Sequence, residues 1–212
     1  MAVAVVAVAD HAVARQLDLA RLSKLAALQE AGDKEGEAEF LRQLNVVAKK
    51  DMTWAEAGRQ VRSMAAYLKT LGVKPGDRIA LMLPNIPQFA VTMAAILRAG
   101  YTCVNVNPLY TARELEHQLK DSGANAIVIL ENFAATLQAC VAKTSVQHVV
   151  LCAMGDQLGF IKGMLVNHVV RRVKKLVPAF ELPHAVRFNE ALSRGEAASL
   201  TTPDISADDL AV

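Results

Sequence analysis

Ala126-Ile127-Val128-Ile129-Leu130 is five apolar residues in succession, and this run restricts the fold more than any other stretch of the chain. A strand with one wet face alternates apolar and polar side chains. An unbroken apolar run fits a strand buried on both faces, as in a parallel sheet covered by helices. Three further segments, "RIALMLPN", "YTCVNVNP" and "HVVLCA", read as strands of the same kind. The first halts at Pro84 and the second at Pro108, where a ladder donor is lost. Helix-like segments separate them. Thr53-Trp54-Ala55-Glu56 has the form of a capping box, and Ala57, Val61, Met64, Ala65, Leu68 and Leu71 come after it at three- and four-residue steps before Gly72. "QFAVTMAAILRAG" reads as a second helix, and Thr111-Ala112-Arg113-Glu114 opens a third with another capping box. "FAATLQACVAK" supplies a fourth. Strand and helix alternating at this rhythm predict βαβ crossovers, hence an α/β fold with a parallel sheet.

The start of the chain has a different character. Residues 1–45 are rich in Ala, Leu, Arg and Glu, with Leu17, Leu22, Leu25 and Leu28 at helix-like spacing and a break at "AGDKEGE". They predict a helical extension ahead of an α/β unit over 46–212. The opening "MAVAVVAVADH" is too short to span a bilayer and lacks the preceding basic segment of a secretory signal. With 23 basic against 21 acidic residues, the chain as a whole is no electrostatic nucleic-acid binder. Cys103, Cys140 and Cys152 are odd in number and widely spaced, which predicts buried, reduced thiols and a cytoplasmic location.

In a parallel sheet, ligands lie beyond the carboxyl ends of the strands. Those ends are Pro84-Asn85, Asn107-Pro108, Leu130-Glu131 and Cys152-Ala153, and none carries a glycine-rich phosphate cradle. Gly155, Gly159 and Gly163 have the wrong spacing for one. Glu114, His117 and Asp121 share a helix face and could share a metal, although a solvated face is the simpler reading. Asn105 and Asn107 could line a crevice or form the turn before Pro108. Arg98 suits a helix C-terminus. The residues therefore nominate no catalytic, cofactor-binding or metal-binding group.

"FIKGMLVNHVVRRVKKLVP" predicts a basic amphipathic helix near 160–177. Leu165, Val166, Val169, Val170, Val173, Leu176 and Val177 fill one arc of its wheel. Arg171, Arg172, Lys174, Lys175 and His168 fill the other, where Phe160 and Met164 also fall, and Lys162 interrupts the apolar side. Such a helix can lie on an anionic membrane, with Arg171, Arg172, Lys174 and Lys175 as the contacts. It can equally dock on the sheet or cover a neighbouring subunit.

The string "GVKPGDRIALMLPNIPQFAVTMAAILRAGYTCVNVNPLYTARELEHQLKDSGANAIVI" resembles the N-terminal part of bacterial long-chain fatty-acid–CoA ligases of the adenylate-forming, AMP-binding superfamily. "MTWAEA" is similar to the first core motif of that family, and "LRAGYTCVNVNPLYTARELEHQL" to the second. "QHVVLCAMGDQLG" and "VVRRVKKLVPAFELPHAVRF" resemble the next stretch of those ligases, so the likeness runs from about Val46 to the last residue. The resemblance implies an enzyme that joins a long-chain fatty acid to ATP, with magnesium, and passes the acyl group from its adenylate to coenzyme A. It also implies that the family's phosphate loop, adenine segment, ribose-binding aspartate, magnesium-binding glutamate and catalytic lysine fall beyond "DDLAV". The expectation is an N-terminal fragment, inactive alone, whose last residues begin an unpaired strand. Self-association, or complementation by the C-terminal part, would result from the apolar surface left open. A peripheral place on the inner membrane is a second expectation for its location. The alternative is a stand-alone acyl- or membrane-binding or assembly module without catalysis.

Overall fold

A computed structural model describes residues 52–201 and 203. The expected extension over 1–45 and the strand start in "DDLAV" lie outside the described residues. Helix α1 (Trp54–Thr70) begins at Thr53, whose hydroxyl accepts from the Glu56 amide while the Glu56 carboxylate accepts from the Thr53 amide. The reciprocal cap satisfies two orphan donors at once. Gly72 leaves the helix at φ +73°, the left-handed conformation that an L side chain resists. Strand β1 (Arg78–Met82), helix α2 (Pro87–Arg98) and strand β2 (Thr102–Asn105) come next. Helix α3 (Ala112–Ser122) carries the second capping box, between Thr111 and Glu114. Strand β3 (Ala126–Leu130) leads into a short 3₁₀ turn and helix α4 (Ala134–Gln138), and then strand β4 (His148–Cys152). Helix α5 (Phe160–His168) runs on into a wide π turn over Val169–Val173. Strand β5 (Val186–Arg187) and helix α6 (Phe188–Glu196) complete the described elements.

The sheet is five-stranded, in the order β2-β1-β3-β4-β5, with every neighbouring pair parallel. The α/β expectation therefore holds, with one strand more than the apolar runs announce. Side-chain alternation sends Ile79, Leu81, Val128, Leu130, Val150 and Cys152 into one core beneath α1, α2 and α6. Ala80, Met82, Ile127, Ile129 and Leu151 enter the other, with Leu115 and Leu119 of α3 and Leu137 of α4. All five residues of β3 are buried, which is why that run tolerates no polar residue. Helix α6 crosses α1 at Gly195, where a Cβ would collide with the Ser63 carbonyl.

The helix expected over 160–177 ends earlier and sits differently. Its chain leaves the helical path after Val173, and Lys175 takes a left-handed φ of +51°. Val170 and Leu176 are buried, with Val166 and Val177 packed beside them against the core under α1 and α6. Val166, Val170, Leu176 and Val177 are thus packed on the protein's own core. Burying them there removes apolar area from water, and the helix turns accordingly. Leu165, assigned by the wheel to the same arc, is exposed instead.

Candidate functional site

The chain moves from β1 outward to β2, then returns across β1 to β3, so the sheet reverses direction between β1 and β3. Crevices at such a switch are where doubly wound sheets take ligands. Glu131 stands there, directly after β3, and is 1% exposed. Its Oε1 accepts from Arg171 Nε at 2.8 Å, and its Oε2 accepts from Arg171 Nη2 at 2.9 Å and Arg187 Nη1 at 2.7 Å. One buried carboxylate thereby ties the π turn and β5 to the end of β3. Hydrogen bonding to Glu131 raises the Arg171 pKa further and keeps the guanidinium charged.

The end of β4 is built around Asp156. The Ala153 amide donates to Asp156 Oδ2 at 2.6 Å, closing the turn. Burial pushes the Asp156 carboxyl up to about 6, opposed by the Ala153 N–H bond, raised further by Glu131 and lowered by Arg187 and Arg171. Gln88 at the start of α2 donates to the Ala153 carbonyl at 3.0 Å, and Asn189 of α6 to the Asp156 carbonyl at 3.1 Å. The Gly155 amide donates to Asn167 Oδ1 of α5 at 2.8 Å. Gly155 and Gly163 touch through their backbones, and a Cβ on either would enter the other residue. A cleft of about 410 Å³ opens here, lined by Asp156, Asn167 and Asn189 together with Phe160 and Met164. These polar groups fasten the elements of the carboxyl edge to one another. No nucleophile–base pair is among them.

Comparison with known proteins decides the family. The AMP-binding enzyme family matches residues 28–212. This chain belongs to that AMP-binding enzyme family. It is similar to the long-chain-fatty-acid–CoA ligase of Salmonella typhimurium strain LT2, at 55% identity over 161 residues, covering 76% of this chain and 29% of the ligase. The ligase of the same description from Haemophilus influenzae is 53% identical over the same coverage. Among solved structures, the anthranilate CoA ligase AuaEII in complex with anthranoyl-AMP aligns with a TM-score of 0.58 at 17% identity. It covers 76% of this chain and 26% of that one, a likeness in fold. The chain thus spans less than a third of the length of the curated relatives it matches.

Within this family member, the residues singled out from sequence separate clearly. Asn107 forms the turn before α3, its Oδ1 accepting from the Leu109 amide at 3.0 Å. Asn105 is exposed on β2, at the sheet edge. Arg98 sits in the last turn of α2. Glu114 serves the Thr111 cap, His117 and Asp121 are exposed, and the described residues contain no cluster able to hold a metal ion. The three thiols are buried, and burial raises each, Cys103 to about 11 and Cys152 well above the ordinary value. A thiol held protonated is a poor nucleophile. Of the four proposed membrane cations, Arg171 is committed to Glu131, Lys174 is half-buried, and Arg172 and Lys175 are exposed.

Glu131, Asp156 and Arg187 carry no motif that nominates them from sequence. A charged residue directly after a fully apolar strand is the only local signal for Glu131. Its partners lie 40 and 56 residues further on, with no pattern linking them.

Proposed function

We propose that this chain is the N-terminal part of a long-chain fatty-acid–CoA ligase. The reaction it serves is activation of the fatty acid with ATP to an acyl-adenylate, then thioester formation with coenzyme A. The observation that carries the reading is 55% identity over 161 residues to a ligase of that description. The part played by these residues is architectural. They build the parallel sheet, turn its carboxyl edge, and clamp the turns after β3 and β4 through Glu131 and Asp156. ATP, magnesium and coenzyme A are the substrates and ion of the reading, but no strand end here carries a phosphate cradle. Adenylyl transfer needs preorganised positive charge on the phosphates, so no step of it is assigned to these residues and the chain is expected to be inactive alone. The buried thiols suit a reducing compartment, and the cytoplasm is the location that fits.

One observation favours a second reading, a stand-alone acyl- or membrane-binding or assembly module that would self-associate or accept a complementary polypeptide. Four large apolar side chains stand exposed on α5. The two readings separate by transplantation. Residues 52–212 replace their counterparts in the Salmonella ligase, and the hybrid and the isolated chain are each given ATP, magnesium, oleate and coenzyme A. The ligase reading expects acyl-CoA from the hybrid and none from the isolated chain.

A further inference from the structure

Two guanidiniums share one carboxylate at the carboxyl edge of the sheet, and a second carboxyl within their electrostatic reach has neither. Glu131 accepts two hydrogen bonds from Arg171 and one from Arg187. Asp156 accepts from the Ala153 amide and, among the described residues, from no cation. The two arginines are not held alike. Arg171 reaches Glu131 through Nε and Nη2 together, from within the π turn. Arg187 uses Nη1 alone, from a two-residue edge strand, and its side chain is 48% exposed. A forked pair is fixed in geometry as well as in energy, so Arg187 is the one free to leave.

The chain also carries Arg187 close to Asp156. Strand β5 runs beside β4 with Arg187 level with Leu151, and two residues further on Asn189 donates to the Asp156 carbonyl at 3.1 Å. The charged or titratable groups acting on Asp156 are Glu131 after β3, Arg171 on the π turn and Arg187 on β5. The Cys152 thiol of β4 is a neighbour too, kept protonated chiefly by burial. The helices meet this turn with amides, Gln88 from α2, Asn167 from α5 and Asn189 from α6, while Gln157 takes Gln60 of α1. Glu190 of α6 is paired with Arg194. Burial, opposed by the Ala153 N–H bond and reinforced by the Glu131 charge, brings the Asp156 carboxyl up to about 6. With that proton in place, two guanidiniums serve one charged carboxylate. Once it leaves, there are two of each, and a half-buried carboxylate without a cation is costly. Moving Arg187 across gives each carboxylate its own arginine.

We infer that Arg187 is a proton-driven switch, bonded to Glu131 while Asp156 is protonated and carried over to Asp156 when that proton leaves. The transfer exchanges a tie between β5 and the end of β3 for one between β5 and the turn after β4. Glu131 keeps Arg171 in both states, so the π turn stays in place. Asp156 lines the 410 Å³ cleft, and the switch sets whether that wall presents a neutral acid or an ion pair. This goes beyond the ligase reading, because it concerns the chain's own protons, whether or not any form makes acyl-CoA.

The test is a pH titration of the 212-residue chain by NMR, following the Asp156 carboxyl carbon and the Nε–H signals of Arg187 and Arg171. The Asp156 and Arg187 signals are expected to move together with one midpoint near 6, while Arg171 moves far less. In D156N the Arg187 signal should stay at its low-pH position throughout. In R187Q the Asp156 midpoint should rise by about one pH unit, because the charged form loses its partner. R187Q alters a half-exposed side chain and decides the question independently of D156N. Three results overturn the inference. The first is an Arg187 signal that stays fixed while Asp156 titrates, which would mean that burial alone sets the carboxyl. The second is an Arg187 shift that persists in D156N, which would place its proton elsewhere. The third is an Asp156 midpoint that R187Q leaves unchanged.

Discussion

A carboxylate that is 1% exposed would be costly to keep charged without partners, and Glu131 has two, 38% and 48% exposed at their side chains. The half-wet arginines keep part of their hydration while the buried oxygens receive three charge-assisted hydrogen bonds, so the desolvation cost falls mainly on one group. Glu131→Ala should destabilise the protein by about 2 kcal/mol, less than for a fully buried pair, because the freed arginines can turn to water. Arg187→Ala should cost under about 1 kcal/mol, since Arg171 remains on Glu131. Urea denaturation of both variants checks the order, and a larger loss for Arg187→Ala would contradict it. Asp156 makes a prediction of the opposite kind. Its folded pKa, about 6, lies above the ordinary 3.8, so the folded state holds the proton more tightly. That contribution to stability is complete below pH 3.8 and is lost as pH rises through about 6. Asp156→Asn keeps an oxygen for the Ala153 amide and removes the charge. It should match the wild type near pH 4 and exceed it at pH 8, by up to about 3 kcal/mol at 1.4 kcal/mol per pH unit. Thermal melts across that range test it, and a variant less stable at pH 8 would show that the Asp156 charge is stabilising. Neither residue is legible in the sequence, because burial at a strand end is set by partners that only the fold brings near.

Glycines make the sharpest predictions among the elements. Gly58 faces open space on α1, whereas Gly195 lets α6 rest on the Ser63 carbonyl. Gly58→Ala should stabilise by about 1 kcal/mol through helix propensity alone. Gly195→Ala has the same propensity gain but forces the two helices apart, and should destabilise by about 2 kcal/mol or more. Equal effects on Tm would mean that the α1–α6 contact gives way freely. How far each element can be read from sequence depends on the kind of signal it carries. The boxes Thr53–Glu56 and Thr111–Glu114 are readable because a cap is a local arrangement of four residues. Strand β5 escapes such reading because two residues carry no periodicity, and its pairing with β4 is wholly tertiary. The end of α5 is misplaced for a related reason. Hydrophobic residues continue through Leu176 and Val177 because the chain keeps packing on the same core, and the π turn at Val169–Val173 alters the helical phase while they do so. Apolar spacing reports which residues are buried, not where the helix stops.

At the scale of the molecule, two cores on one parallel sheet result from uninterrupted apolar strands, and the α/β class is plain from that pattern. The family is plain from long specific strings such as "LRAGYTCVNVNPLYTARELEHQL". A ligand site is not, because the strand ends that should cradle phosphate carry caps, turns and an ion cluster instead. The whole-molecule claim is that residues 52–212 form a working N-terminal scaffold of a long-chain ligase. Acyl-CoA formation by the Salmonella ligase carrying these residues in place of its own tests that claim most directly. The account predicts oleoyl-CoA from the hybrid, with the isolated chain inert under the same conditions. A folded hybrid without turnover, its Tm equal to that of the parent ligase, would contradict it.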